Sequence, residues 1–286
     1  MKYSTLISVE QLASHINDPD WTVIDCRFSL EEPGLGRKNY LQAHIPGAVY
    51  AHLDEDLCSP IIKGVTGRHP LPTVENIVER LSNWGIDDFV QVVVYDDAGG
   101  AMAASRLWWL LQWLGHEAVA VLNGGWSLWL KGNYSVTSGD ESRVARQFTP
   151  QVQPMRLIET SEIRDRLHDP ALKIIDSRAE ERYRGEIEPI DPIAGHIPGA
   201  LLSPHPNVLD SGGNFLPADE LRHHFESLLG DVPAEEASFY CGSGVTAVQN
   251  VLALKYAGMG NARLYAGSWS EWITDTGRPI STGDSP

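Results

Sequence analysis

Short apolar runs alternate along the chain with longer segments of mixed polarity. The runs have strand length, and the segments between them predict helices, the first of each half opening at a Ser or Thr cap. In the first half, strands are predicted over Thr22–Asp25, Gln91–Tyr95 and Val119–Leu122, and helices over Ser8–His15 and Ser105–Leu114. In the second half, strands are predicted over Lys173–Asp176, Ala237–Tyr240 and Ala262–Tyr265, and helices over Thr160–Leu167 and Val248–Tyr256. The alternation favours an α/β fold in each half, a parallel sheet with helices on both faces.

The chain also repeats short motifs in one order. Asp25-x-Arg27 returns as Asp176-x-Arg178, His44-Ile-Pro-Gly-Ala48 as His196-Ile-Pro-Gly-Ala200, and Trp126-x-x-Trp129 as Trp269-x-x-Trp272. Such self-similarity indicates two copies of one structural unit. We therefore predict a first domain over 1–135, a polar linker over 136–155 and a second domain over 156–286.

The composition and charge of the chain argue against several classes of partner and site. The net charge is −16 with 22 basic and 38 acidic residues, so nucleic acid and anionic membranes are not expected partners. Three cysteines without a CxxC pair predict neither a disulfide framework nor a zinc site, and no metal or cofactor is expected. The opening MKYSTLISVEQL lacks a signal-peptide pattern, and the apolar stretch around Leu107–Leu114 is too short to span a membrane. We expect a cytoplasmic protein.

The candidate nucleophile and anion-binding loop is the segment Cys241-Gly-Ser-Gly-Val-Thr246, between a predicted strand and a predicted helix. Backbone N–H groups and the helix dipole at such a position favour a thiolate and bind small anions. Gly242 and Gly244 let the backbone approach an anion closely. A buried structural cysteine in a tight turn is the alternative. The matching position of the first half is Asp96, which cannot act as a thiol nucleophile, so we predict one active half and one inert half.

Three phosphate-binding interpretations fit this loop less well. Gly242-x-Gly244-x-x-Ala247 matches a dinucleotide fingerprint, but the next predicted strand ends without an acidic residue for a ribose. A cysteine phosphatase needs an Arg where this chain has Ala247, and would have to take a phosphate-binding Arg from elsewhere in the chain. No Gly-Lys-Ser/Thr of a P-loop occurs.

The loop, the two HIPGA segments and Gly267-Ser-Trp-Ser-Glu-Trp272 together resemble the rhodanese-type sulfurtransferases, closest to the 3-mercaptopyruvate branch. The resemblance covers nearly the whole chain and implies two tandem rhodanese-like domains with the nucleophile only in the second. It implies transfer of sulfane sulfur from 3-mercaptopyruvate, or from thiosulfate, through a Cys241 persulfide. The acceptor would be cyanide, a small thiol or a thioredoxin-like protein. Alternatives are a thiosulfate sulfurtransferase and a low-turnover sulfane-sulfur carrier or binding protein.

The resemblance also suggests roles for individual residues. Catalysis would involve Cys241 together with a Ser243–His69–Asp56 proton relay. Substrate binding would fall to residues shared between the loop and a nearby basic segment: Gly242, Gly244, Val245, Thr246, Arg182 and, less directly, Arg184. The branch usually has a second substrate arginine after a Glu-Pro pair, but here Glu188-Pro189 is followed by Ile190. That departure leaves the preferred donor open.

Overall fold

Each half of the chain is built around its own parallel sheet in the computed structural model, which describes residues 2–285. The chain divides into two units. The first unit takes in the chain up to Ser59, Leu71–Gln153 and Ser211–Phe215. The second unit takes in Pro60–Pro70, Pro154–Asp210 and the chain from Leu216 onward. The short segment Pro60–Pro70 therefore packs with the second unit although it lies early in the sequence.

The first unit holds a five-stranded sheet in the order β1-β5-β4-β2-β3, with every pairing parallel. All five residues of the central strand are buried, as expected for a sheet covered on both faces. The strands are β1 Leu6–Ile7, β2 Trp21–Asp25, β3 Val49–Tyr50, β4 Gln91–Tyr95 and β5 Val119–Leu122. The helices are α1 Val9–His15, α2 Leu35–Gln42, α3 Leu53–Asp56, α4 Val74–Asn83, α5 Ala103–Trp113 and α6 Gly125–Lys131.

The second unit repeats this plan with a four-stranded parallel sheet in the order β7-β6-β8-β9. A parallel bridge from Leu157 to Leu264 extends the sheet at the position that β1 occupies in the first unit. The strands are β6 Lys173–Asp176, β7 Leu201–Leu202, β8 Ala237–Tyr240 and β9 Arg263–Leu264. The helices are α7 Thr160–Asp165, α8 Glu180–Arg184, α9 Ala218–Leu229, α10 Ala247–Tyr256 and α11 Ser268–Trp272. Among the described residues, no helix combines the length and apolarity needed to cross a bilayer.

The parallel α/β architecture predicted from the sequence is confirmed, with small differences at element ends. Ser8 caps α1 in a capping box with Gln11. The predicted strand Ala262–Tyr265 is shorter, over Arg263–Leu264, and the predicted helix Thr160–Leu167 ends at Asp165. Terminal residues of an element make only part of its hydrogen bonds, so such shifts are expected.

The arginine of the repeated Asp-x-Arg motif makes the same contacts in both units. Arg27 binds the Asp25 carboxylate, with Nη2 at 2.6 Å from Oδ2, and its guanidinium carbon lies 4.4 Å from the ring centre of Trp126. Arg178 makes the same contact with Asp176 at 2.6 Å and lies 4.7 Å from Trp269. Because the motif binds the sheet to the last helix in both units, it is a feature of the fold.

Candidate functional site

Cys241 lies directly after the carboxyl end of β8 and before α10, where ligands gather in open parallel sheets. Its side chain is buried, with the residue 2% exposed. The loop Cys241–Thr246 turns sharply between the two elements. The thiol therefore faces the first backbone N–H groups of α10, which have no partners within the helix.

The environment of Cys241 favours its thiolate. Burial raises the pKa of the thiol, but hydrogen bonds from the Thr246 hydroxyl and from the backbone N–H groups of Ser243, Ala247 and Gly244 outweigh burial and lower the pKa below its ordinary value. The other two cysteines show the opposite. Burial raises the pKa of Cys26 well above its ordinary value and that of Cys58 to about 11. Of the three thiols, Cys241 is the one prepared to act as a nucleophile.

The start of α11 holds this loop in place. Trp269 N donates to the Cys241 carbonyl at 3.0 Å, and Ser270 N donates to the Gly242 carbonyl at 2.9 Å. Cys241 N donates to Ser268 Oγ at 3.1 Å. Ser268 has a φ of +55°, a conformation that side chains rarely adopt. Its hydroxyl also donates to the Tyr265 carbonyl at 2.9 Å, which stabilises that conformation.

The two loop glycines are needed for different reasons. Gly244 has a φ of +74°, and a Cβ there would lie 2.2 Å from the Ala266 carbonyl oxygen. A Cβ on Gly242 would lie 2.8 Å from Arg68 Nη2 and 3.5 Å from Arg182 Nη2. Gly244 is thus required by the backbone, whereas Gly242 leaves room for two guanidinium groups.

Arg182 is oriented by carboxylates. It binds Glu188 through Nη2 at 2.7 Å and Nε at 3.0 Å, and Asp191 through Nη2 at 3.2 Å. Burial raises the pKa of Glu188, but the Arg182 guanidinium lowers it, and the pKa is lowered overall. The Asp191 carboxylate also accepts a hydrogen bond from Arg68 Nη1. Arg182 therefore lies beside the Cys241 loop in a fixed orientation.

Ser243 and His69 are in contact. His69 Nδ1 lies 2.7 Å from Ser243 Oγ, and both residues are buried. His69 belongs to the segment Pro60–Pro70, which is part of the second unit. A neutral imidazole can accept the serine proton at this nitrogen, so the pair is suited to proton transfer next to the nucleophile.

The other predicted site residues have different partners. Asp56 ends α3 in the first unit, where its carboxylate accepts from His52 N at 2.8 Å and pairs with Arg80 at 3.2 Å. Arg184 pairs with Glu180 and Asp284, and no contact of the described residues joins it to the Cys241 loop. Val245 is buried within the loop.

The first unit presents the same loop with an acidic side chain in place of the thiol. The Asp96 carboxylate accepts from the N–H groups of Gly100 at 2.8 Å, Ala98 at 3.0 Å and Met102 at 3.1 Å. Burial raises the pKa of Asp96 to about 6 in spite of these bonds. A side chain of the loop therefore occupies the anion site that the loop would otherwise offer.

Arg68 is the site residue that sequence reasoning missed. It precedes His69 in the chain, but it is 123 positions from Asp191, the carboxylate that holds it. Its position next to the predicted His69 was the available signal. The described residues thus bring together a thiol of lowered pKa, a serine–histidine pair and two arginines, an arrangement suited to nucleophilic chemistry on a small anion.

Comparisons with known proteins agree with this chemistry. The family model described as Rhodanese-like domain matches residues 8–132 and again 159–275. A protein of Pseudomonas aeruginosa named "Probable 3-mercaptopyruvate sulfurtransferase" is 47% identical over 285 residues, covering 99% of this chain and 100% of that protein. "Thiosulfate/3-mercaptopyruvate sulfurtransferase 1, mitochondrial" of Arabidopsis thaliana is 32% identical, covering 98% of this chain and 79% of its own.

A solved structure is similar to this chain over most of its length. The 3-mercaptopyruvate sulfurtransferase from Leishmania major superposes with a TM-score of 0.82 at 29% identity, over 94% of this chain and 74% of that one. The similarity extends over both halves of the chain.

Proposed function

Because the chain belongs to the rhodanese-like domain family, we propose that it is a sulfurtransferase in which Cys241 carries sulfur from a small anionic donor to a thiophilic acceptor. The observation that carries the proposal is the position of the buried Cys241 thiol between β8 and the N-terminus of α10, where hydrogen bonds from the loop lower its pKa. Relatives that match the whole chain are named for 3-mercaptopyruvate and for thiosulfate. We take 3-mercaptopyruvate as the donor and thiosulfate as the alternative.

In the first step the Cys241 thiolate attacks the donor sulfur. An S–S bond forms while the S–C bond of 3-mercaptopyruvate breaks, and the electron pair of that bond passes to the departing carbon as the enolate of pyruvate. A proton passes overall from the donor thiol to that carbon, which gives pyruvate and a Cys241 persulfide. An acceptor then attacks the outer sulfur and regenerates the thiolate, so catalysis is a covalent double displacement.

The residues around Cys241 stabilise its charged sulfur and bind the donor. Backbone N–H groups of Ser243, Gly244 and Ala247 together with the Thr246 hydroxyl stabilise the thiolate and persulfide. Arg182 binds the donor anion, and the 2.7 Å contact with Glu188 orients the Arg182 guanidinium for that role.

The Ser243–His69 pair supplies the proton to the departing enolate, and its 2.7 Å contact supports that role. Asp56 as the third member of the relay, and Arg184 as a further substrate residue, stay predictions from the sequence.

The first domain, over 1–135, is proposed to be catalytically inert at its own strand-to-helix loop, apart from its segment Pro60–Pro70, which packs with the second unit. A linker over 136–155 joins it to the active domain over 156–286. Asp96 in place of a thiol supports the inert assignment. Cyanide, a small thiol or a thioredoxin-like protein is the proposed acceptor. A cytoplasmic location and the absence of nucleic-acid and membrane partners remain predictions.

The experiment is steady-state sulfur transfer to cyanide, measured as thiocyanate, with 3-mercaptopyruvate and with thiosulfate. Cys241→Ser is compared with Cys58→Ser, a matched control that removes a thiol of raised pKa. We expect turnover in the wild type and in Cys58→Ser and none in Cys241→Ser, together with the mass of one added sulfur on the donor-treated wild type.

Other outcomes would overturn the assignment. Uptake of one sulfur without turnover would identify a sulfane-sulfur carrier. Hydrolysis of an aryl phosphate that depends on Cys241 would identify a phosphatase. Turnover that survives in Cys241→Ser would contradict the assignment of Cys241 as the nucleophile.

A further inference from the structure

Position 190 carries an isoleucine where the resemblance implies a second substrate arginine. Ile190 is 50% exposed, and its backbone N–H donates to Glu188 Oε1 at 3.1 Å. An isoleucine cannot bind a carboxylate. If the donor is held by two cations, the second one has to come from a position other than 190.

Arg68 lies where that second cation is needed. The Cβ position of Gly242 is 2.8 Å from Arg68 Nη2, and 3.5 and 3.6 Å from Arg182 Nη2 and Nη1. Gly242 directly follows the nucleophile. The two guanidinium groups therefore converge on the same point of the Cys241 loop from different segments of the chain.

Both guanidinium groups keep N–H donors for a ligand. Arg68 binds Asp191 through Nη1, and among the described residues neither its Nη2 nor its Nε has a hydrogen-bond acceptor. Arg182 uses Nε and Nη2 on Glu188 and Asp191, and the described residues offer no acceptor to its Nη1. Donors that remain unused beside Gly242 are suited to a planar carboxylate.

Arg68 is held in this position from both ends. Its backbone N–H donates to Ser270 Oγ at 3.1 Å, so α11 fixes the main chain. Asp191, which is 7% exposed, binds Arg68 through Oδ1 and Arg182 through Oδ2. One buried carboxylate thus sets the spacing of the two guanidinium groups, and little side-chain freedom is lost when a ligand binds.

A cavity that borders Arg68 has room for a donor. Its volume is about 480 Å³, and Lys63, Arg68, Ile190, Asp191 and Ser270 are among the residues that line it. Arg68 therefore borders both this cavity and the loop residue next to Cys241. In a chain with a net charge of −16, local cations are needed to attract an anionic donor.

We propose that Arg68 is a specificity-determining residue that binds the carboxylate of an α-keto mercaptan donor together with Arg182, in place of the arginine absent at position 190. The inference rests on the proposed sulfurtransferase activity and names its donor class. It assigns selectivity to a charged group on the segment Pro60–Pro70.

The test compares Arg68→Gln and Arg68→Lys with Arg164→Gln, a matched control at an exposed arginine of the same unit that pairs with its neighbour Asp165. Two donors are used with cyanide as acceptor: 3-mercaptopyruvate, and mercaptoacetone, which has the same ketone and thiol but no carboxylate. For Arg68→Gln we expect the KM for 3-mercaptopyruvate to rise about 10- to 100-fold with kcat within threefold, the loss expected for one charge-assisted contact. With mercaptoacetone, kcat/KM should stay within twofold of the wild type.

Arg68→Lys keeps the charge and should fall between the wild type and Arg68→Gln, and it carries the test if Arg68→Gln does not fold. An unchanged KM for 3-mercaptopyruvate, or an equal loss with both donors, would overturn the role of Arg68 while leaving the proposed function intact. A wild type that transfers sulfur from neither 3-mercaptopyruvate nor thiosulfate would overturn the proposed function and this inference with it.

Discussion

Replacing Thr246 by valine tests how the fold activates Cys241. The Thr246 hydroxyl makes the largest single contribution among the hydrogen bonds that lower the pKa of the thiol, and valine has nearly the same shape without the hydroxyl. Three backbone N–H donors, from Ser243, Gly244 and Ala247, stay in place. The substitution therefore removes one of four stabilising groups and leaves the packing of the loop almost unchanged.

The size of the effect follows from two opposing terms. A hydrogen bond to a charged group stabilises by about 1.5–3 kcal/mol, so its loss lowers the thiolate population at neutral pH by roughly 10- to 100-fold. The remaining thiolate is more basic, and its intrinsic reactivity rises by roughly 3- to 10-fold. Alkylation of Cys241 by iodoacetamide at pH 7 should therefore slow by about 3- to 10-fold in Thr246→Val. At alkaline pH, where both thiols are ionised, the variant should react faster than the wild type.

The assay is the pH dependence of the alkylation rate, followed by mass spectrometry of the Cys241 peptide. Cys241→Ser gives the background from Cys26 and Cys58, and Thr246→Ser is the matched control that keeps the hydroxyl. Profiles of Thr246→Val and the wild type that superimpose would refute the argument. So would an equal slowing in Thr246→Ser.

Two further predictions concern proton transfer by His69 and the effect of the buried Asp96 carboxyl on stability. In His69→Gln, turnover of 3-mercaptopyruvate should fall about 100-fold, the size of a general-acid contribution. Turnover of thiosulfate should change less than threefold because sulfite departs as a stable anion. Equal losses in steady-state assays of both donors would contradict the proton role. Asp96 has a folded-state pKa of about 6 against an ordinary 3.8, so the free energy of unfolding should rise as pH falls from about 7 to 4, by up to about 3 kcal/mol from this group. Asp96→Asn should remove that part of the pH dependence in urea unfolding, and an unchanged slope would contradict it.

Much of the fold was predictable because its central strands are continuous apolar runs. The bounds of β4, β6 and β8 match the predicted ranges Gln91–Tyr95, Lys173–Asp176 and Ala237–Tyr240. The two-residue strands β1, β3 and β7 were not predicted, because each exists only through pairing with a longer neighbour. The helices α3, α4, α6, α8, α9 and α11 were not predicted either. The helix α2 was also missed, since most of its residues are polar or exposed.

The site was predictable where its residues are adjacent in sequence. The loop from Cys241 to Thr246 is one motif, and its position after a strand fixes its chemistry. Arg68 and Asp191 belong to different segments, and only the folded chain brings them together. Arg184 is two residues from Arg182 in sequence, yet its guanidinium pairs with Glu180 and Asp284. Proximity in sequence is therefore a poor guide to which arginine serves a site formed by separate segments.

The Asp96 loop shows what the strand-to-helix turn requires in both units. Its buried N–H groups need an acceptor, and in the first unit the Asp96 carboxyl oxygens accept hydrogen bonds from them. In the second unit the Cys241 sulfur is the acceptor at that position, which gives the nucleophile a second task in completing the turn. The thermal stability of the second unit should consequently follow the chemical state of one sulfur atom. A neutral alkyl cap on Cys241 would loosen the turn, whereas a persulfide anion would keep it closed between the two halves of the catalytic cycle.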